Sequence, residues 1–145
     1  MMTKIGTTGL ALGLALSVAP FAASAQEAGD PLLCALTEVL ECVDGYGCQP
    51  VEPEAIGAPR FLRVDADGKR IADPKADDQA PGSTVVHSER IDGKLILQGT
   101  DPGVEDLRDG VAWTVAIGED SGGMVLTAAG DEVAYVAFGE CLSTP

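Results

Sequence analysis

The chain has 145 residues, with 9 Lys and Arg against 23 Asp and Glu, a formal net charge of −14 and one histidine. So acidic a protein repels phosphate backbones, which argues against nucleic acid as a partner. The length supports one domain with one modest core, and a single histidine excludes a paired-histidine metal site.

Residues 1–25 read as a signal peptide. Lys4 supplies a positive start, Ile5 to Val18 is apolar, and Ala23-Ser24-Ala25 forms a cleavage signature, so the mature protein is expected to begin at Gln26. The apolar run is short for a membrane span and no later stretch is long enough, so no span is expected in the mature chain. Removing 25 residues from 145 leaves 120, and losing Lys4 takes the net charge from −14 to −15. The export signal points to the periplasm or the extracellular space.

Asp30-Pro31 has the character of a helix start, an N-cap followed by proline. Leu32, Leu36, Val39, Leu40 and Val43 follow at helical spacing, and Asp44-Gly45 ends the run. The pattern predicts an amphipathic helix over 31–41. Four cysteines, Cys34, Cys42, Cys48 and Cys141, behind an export signal read as two disulfides rather than a zinc site, whose usual spacings they do not match. On a helix Cys34 and Cys42 would be separated by about 12 Å of rise, beyond disulfide reach. The favoured pairing is therefore Cys42–Cys48, closing the loop CVDGYGC, with Cys34–Cys141 tying the helix to the residues after the last strand. Closing so long a loop is worth about 4–5 kcal/mol in chain entropy.

Residues 49–60 hold three prolines without periodicity and read as a linker. Phe61 to Val64 is predicted as a strand, Asp65 to Gly68 as a turn and Lys69 to Ala72 as a return strand. The DADG sequence lacks the further acidic ligands of a calcium-binding EF-hand loop, so a hairpin turn is the better reading. Asp73 to Ser83 is a polar loop expected to be mobile. Thr84 to Ile91 and Lys94 to Gly99 are predicted to form a hairpin closed by Asp92-Gly93. Neither face of that hairpin is clean, which suggests a bulge. His87, Glu89 and Gln98 share one face: turned inward they line a polar pocket, turned outward they sit on a rim. Asp101 to Gly110 is an acidic loop that meets no calcium-ligand pattern, and no metal site is assigned.

Val111 to Phe138 organises the fold. With Glu119 to Gly122 as a four-residue turn, Ile117 faces Met124, Val115 faces Leu126 and Trp113 faces Ala128. A two-residue turn at Gly130-Asp131 then sets Val133 against Ala128, Tyr135 against Leu126 and Ala137 against Met124. Both turns place Trp113, Val115, Ile117, Met124, Leu126, Val133 and Tyr135 on one face, the expected core. The reverse face, with Ala116, Val125, Val136 and Phe138, is also free of charge, so the N-terminal helix is expected to cover it.

No catalytic set emerges. Asp120-Ser121-Gly122-Gly123 resembles the nucleophile segment of chymotrypsin-like proteases, but one histidine and too little length for two barrels leave the triad without its setting. An even number of exported cysteines disfavours a thiol nucleophile. The chain is read as a non-enzyme with no cofactor.

The order LILQG, WTVAI and MVLTAAGDEVAYVAFGEC resembles a group of small exported bacterial proteins of no known activity, over roughly Cys34 to Cys141. The motifs are strand and turn residues, so the resemblance implies no site. The expected fold is mostly β: a small antiparallel meander barrel or curled sheet of six to seven strands, with one N-terminal helix packed outside. Residues 26–60 (helix, disulfide loop, proline-rich linker) and 61–145 (β domain) form one folding unit. The leading functional expectation is a non-catalytic protein that binds a macromolecular partner, as an inhibitor or accessory subunit. The alternative is a carrier holding a small ligand inside the barrel, lined by Trp113, Tyr135 and His87.

Overall fold

A computed structural model describes residues 29–144 apart from 68, 78–81, 105 and 108; the signal-peptide assignment of 1–25 lies outside the described residues. The strands are β1 (Leu32–Val43), β2 (Gly47–Pro50), β3 (Phe61–Asp65), β4 (Arg70–Ala72), β5 (Ser83–Ile91), β6 (Lys94–Asp101), β7 (Val111–Gly118), β8 (Gly123–Ala129) and β9 (Val133–Ser143), with one 3-10 turn at Pro53–Ile56. Neighbours run β2-β1-β3-β4-β5-β6-β7-β8-β9, and β1 pairs with β9 as well. β1 and β3 to β9 thus close an eight-strand antiparallel barrel, while β2 is a flap on the C-terminal half of β1. Closure removes the edges that β3 and β9 would otherwise expose.

The segment predicted as a helix is instead the closing strand. β1 pairs with β9 from Leu32↔Ser143 to Val43↔Val133, with a bulge between Leu36 and Glu38. A strand points every second side chain inward, and one extra residue shifts that count by one. Here Leu32, Leu36, Val39 and Val43 fall on the inner face at steps of four, three and four, the same spacing that a helix produces. Val39, past the bulge, is 3% exposed. Among the described residues, no helix covers the outer face of β7 to β9. Val125 and Phe138, directly opposed on β8 and β9, are 41% and 40% exposed. The expected cover has become part of the wall.

Both disulfides have the expected pairing, by a different geometry. Cys34 and Cys141 are directly opposed across the β1–β9 seam, and Cys42 and Cys48 are opposed in the β1–β2 hairpin. The first bond closes the barrel on its inner side, where Cys34 is fully buried. Cys42, past the bulge, lies on the outer face with its partner exposed.

The β7–β8 register matches expectation, with Ile117↔Met124, Val115↔Leu126 and Trp113↔Ala128. The β8–β9 register is shifted by two residues: Ala128 opposes Tyr135 and Leu126 opposes Ala137. The connection is a four-residue turn in which Gly130 N donates to Val133 O at 3.0 Å and Glu132 takes φ +62°. A shift of two leaves every side chain on its original face, which is why the predicted core face survives.

The β5–β6 hairpin turns at Asp92 (φ +52°) and Gly93 (φ +68°), the mirror-image turn that suits strand twist. A bulge between Val85 and His87 resolves its mixed faces, turning Val85 inward and leaving Val86 outside. The tight β3–β4, β5–β6 and β7–β8 turns gather at one end of the barrel. Leu97, Val115, Val64, Met124 and Cys34 fill the interior and are almost wholly buried. The longer connections at 51–60, 73–82 and 102–110 gather at the other end.

Candidate functional site

The end with the longer connections is hollow. A bowl of about 810 Å³, open on one side, extends into the barrel above the packed layer. Its inner wall is apolar and comes from many strands: Leu36 and Val39 of β1, Leu62 of β3, Ile71 of β4, Trp113 of β7 and Leu126 of β8. Two connections raise the wall further. Ala55, Ile56 and Pro59 approach from the 51–60 segment, and Gly103 and Val104 from the 102–110 segment.

The hollow exists because of residue sizes. Where side chains are small, an eight-strand barrel retains room for one small molecule. Ala128 and Ala137 face the bowl from β8 and β9, and Gly99 sits beside Trp113 on β6. A Cβ on Gly99 would collide with Trp113 Cζ2 and with Thr84 O, so only glycine lets the indole come this close to β6. Trp113 is the sole tryptophan and is 6% exposed. Its Nε1 is buried and has no hydrogen-bond partner among the described residues. A buried donor left so costs about 1–3 kcal/mol, an uncommon expense in a native wall.

Among the described lining residues, the charged side chains sit at the rim. Ser83 Oγ donates to Asp101 Oδ2 at 2.8 Å and Gly103 N donates to Asp101 Oδ1 at 2.9 Å, which fixes that carboxylate at the end of β6. Val104 N donates to Asp109 Oδ1 at 2.8 Å and ties the 102–110 segment together. Asp131 joins the rim from the β8–β9 turn. Tyr135 lines the bowl, and its hydroxyl donates to Glu41 Oε1 at 3.4 Å. Burial and the adjacent Glu41 charge both disfavour the phenolate, raising the Tyr135 pKa above its ordinary 10.0. At the foot of the 51–60 segment, Arg60 holds Glu52 and Glu54, the latter at 2.7 Å; these carboxylates keep its pKa raised.

Two of the three residues predicted to line the interior do so: Trp113 and Tyr135. His87 does not join them. The β5 bulge turns it to the outer face opposite Gln98, with its side chain 55% exposed and Nε2 3.4 Å from Glu89 Oε2. Sequence reasoning missed the contribution of the proline-rich segment. Its apolar Ala55, Ile56 and Pro59 gave no periodic signal; backbone bonds from Val51 N to Val39 O and from Leu36 N to Arg60 O tie the segment to β1, and Arg60 pairs with its two glutamates. The serine of the protease-like segment serves its turn, since Ser121 Oγ accepts from Gly123 N at 3.1 Å. Among the described residues, no group of three or more His, Cys, Asp or Glu is placed to hold a metal ion, and no helix is long and apolar enough to cross a membrane. The two disulfides fit an oxidising environment outside the cytoplasm. Comparison with protein-family models, with curated proteins and with solved structures finds no match.

Proposed function

We propose that this protein is a non-catalytic carrier of the periplasm or extracellular space that holds a small, largely apolar molecule in the bowl. The observation that carries the reading is a hollow of about 810 Å³ with an apolar inner wall in a closed barrel. That volume lies within the range of about 300–1,000 Å³ usual for small-molecule pockets. Charged side chains at the rim above an apolar wall suit a ligand whose body is greasy and whose head meets water. The seam disulfide keeps the wall shaped in the absence of ligand, which lowers the ordering cost of binding.

The test uses the neutral fluorophore N-phenyl-1-naphthylamine, which accepts energy from tryptophan. Saturable quenching of Trp113 at one probe per protein is expected. Ala128→Phe, which fills the bowl from β8, should abolish it while leaving the circular dichroism spectrum unchanged. A flat Trp113 trace, or equal binding by the filled variant, would refute the carrier reading.

A second reading, an accessory or inhibitory protein that binds a macromolecule, is favoured by the outer face. Val125 and Phe138 lie side by side and half exposed, and Tyr46 is 92% exposed at the tip of the disulfide-closed hairpin. If affinity capture from periplasmic extract returns the same proteins with Phe138→Asp and with Tyr46→Ala as with the native chain, this reading fails.

A further inference from the structure

The closed barrel keeps one open edge, on β5. β4 meets β5 only at Arg70↔Thr84 and Ile71↔Ser83, and a bond from Val85 N to Lys69 O at 3.0 Å is the last contact before the β3–β4 turn. β5 runs on to Ile91, paired with β6 on one side and, among the described residues, with no strand on the other. Every residue from Val86 to Ile91 is exposed, Val86 at 70% and Ile91 at 57%. The hairpin fixes where its backbone groups point. The two-residue turn closes on the hydrogen-bonded pair Ile91↔Lys94, and such pairs alternate along the ladder. Glu89 and His87 therefore bond to β6, while Ser88 and Arg90 turn N–H and C=O to the free side. The bulge agrees: Val85 already donates away from β6, and one extra residue moves the next outward position from 87 to 88.

An unpaired edge accepts another strand, and proline or lysine commonly blocks it; the stretch from Val86 to Ile91 holds neither. Its one cation, Arg90, is drawn off to Glu119 at 2.9 Å. We propose that this edge pairs with the same edge of a second copy, antiparallel about a two-fold axis at Ser88. Directly opposed residues share a face, so the outward groups at 88 and 90 allow registers centred on Ser88, Glu89 or Arg90. Centring on Glu89 sets two carboxylates opposite each other at the closest spacing of an antiparallel pair. Centring on Arg90 opposes two guanidinium stems. Centring on Ser88 instead sets His87 of each copy against the partner's Glu89, and lets the two Ser88 residues exchange N–H to C=O bonds. Opposed complementary groups stabilise a strand pair and like charges destabilise it, which selects the Ser88 register. Arg90 and Lys94 also balance Glu89 and Asp92, so this hairpin escapes the self-repulsion expected of a chain of net charge −14.

Sedimentation equilibrium of the oxidised protein tests the contact. One strand pair buries less than the roughly 1,200 Å² at which standard interfaces begin, so a weak dimer is expected, with the mean mass rising towards twice the monomer between about 10 µM and about 1 mM. His87→Glu, an exposed substitution that opposes two pairs of carboxylates in the dimer, should weaken association by about tenfold. Ser88→Pro removes the central outward donor without costing a bond to β6, and should leave a monomer with the native circular dichroism spectrum. Ser88→Cys reads the register. Opposed Cα atoms of a hydrogen-bonded pair lie about 5.5 Å apart, within disulfide reach, so under mild oxidation this variant should cross-link at least about tenfold faster than Asp92→Cys at the hairpin tip. A mass that stays monomeric up to the highest concentration overturns the proposal. So does a dimer that His87→Glu and Ser88→Pro leave unchanged, because the contact then lies elsewhere. Equal cross-linking rates for the two cysteine variants overturn the two-fold at Ser88.

Discussion

The seam between β1 and β9 offers the sharpest test of the barrel. Removing the Cys34–Cys141 bond as Cys34→Ala with Cys141→Ala frees an unfolded-state loop spanning a sequence separation of 107, whereas Cys42→Ala with Cys48→Ala frees one of only 6. Chain entropy alone assigns about 4.8 kcal/mol to the long closure and about 2.2 kcal/mol to the short one at 25 °C. Unfolding entropy of about 2.1 cal/mol/K per residue gives a domain of this size about 0.25 kcal/mol per degree, so melting should fall by about 19 °C and about 9 °C respectively. Cys34 and Cys141 are 0% and 6% exposed, so loss of buried sulfur can only widen the gap. Alanine avoids introducing unpartnered hydroxyls. Both variants should keep the native circular dichroism spectrum at 20 °C, because β1 and β9 retain their backbone pairing. Thermal melts of the purified oxidised proteins provide the assay. Equal melting temperatures for the two variants would show that the long bond does not close the fold, and the reasoning would fail.

Other outcomes follow from the same structure. Leu97→Ala, at a position with no exposure, should cost about 3–5 kcal/mol in urea unfolding, against less than about 1 kcal/mol for the half-exposed Val125→Ala. Gly99→Ala pushes a methyl into Trp113 and Thr84 O; a loss of about 1–3 kcal/mol and a shifted Trp113 emission maximum are expected, and unchanged emission would contradict the close approach. The folded protein holds the Tyr135 proton more tightly than the unfolded chain does. Stability should therefore be intact below pH 10 and fall as pH rises through the raised Tyr135 value. Ultraviolet titration checks this: Tyr135→Phe should remove the late phenolate signal and Glu41→Gln should bring it to lower pH. N-terminal sequencing of exported protein should start at Gln26.

The last three strands were legible because two kinds of local evidence agreed. Turn residues at 119–122 set the β7–β8 register, and period-two alternation named the inward set that contains Trp113 and Tyr135. The β8–β9 turn was misjudged by two residues, an even error that a two-residue period cannot detect. β1 was misread for a related reason. The bulge at Thr37 converts an alternating pattern into steps of four and three, and only pairing with β3 and β9 distinguishes that from a helix. His87 depended on a second bulge, between Val85 and His87, that the mixed hairpin faces suggested but could not locate. The bowl was the least legible feature. Its floor comes from distant strands, and its rim joins Asp101, Asp109 and Asp131 with a proline-rich segment that has no periodicity.

The amino-acid sequence by itself determined a small, acidic, mostly β chain with two disulfides in their correct pairing and an inner face bearing Trp113 and Tyr135. These properties follow from composition, from turn chemistry and from the two-residue repeat, all of which act over a few neighbours. Tertiary structure alone decided that the barrel closes, that β1 is a wall rather than a cover, and that one end stays hollow. Those outcomes depend on which strand lies beside which and on how summed side-chain volumes compare with the space they enclose. No short stretch of chain carries that information, because closure is a property of the whole circuit of strands.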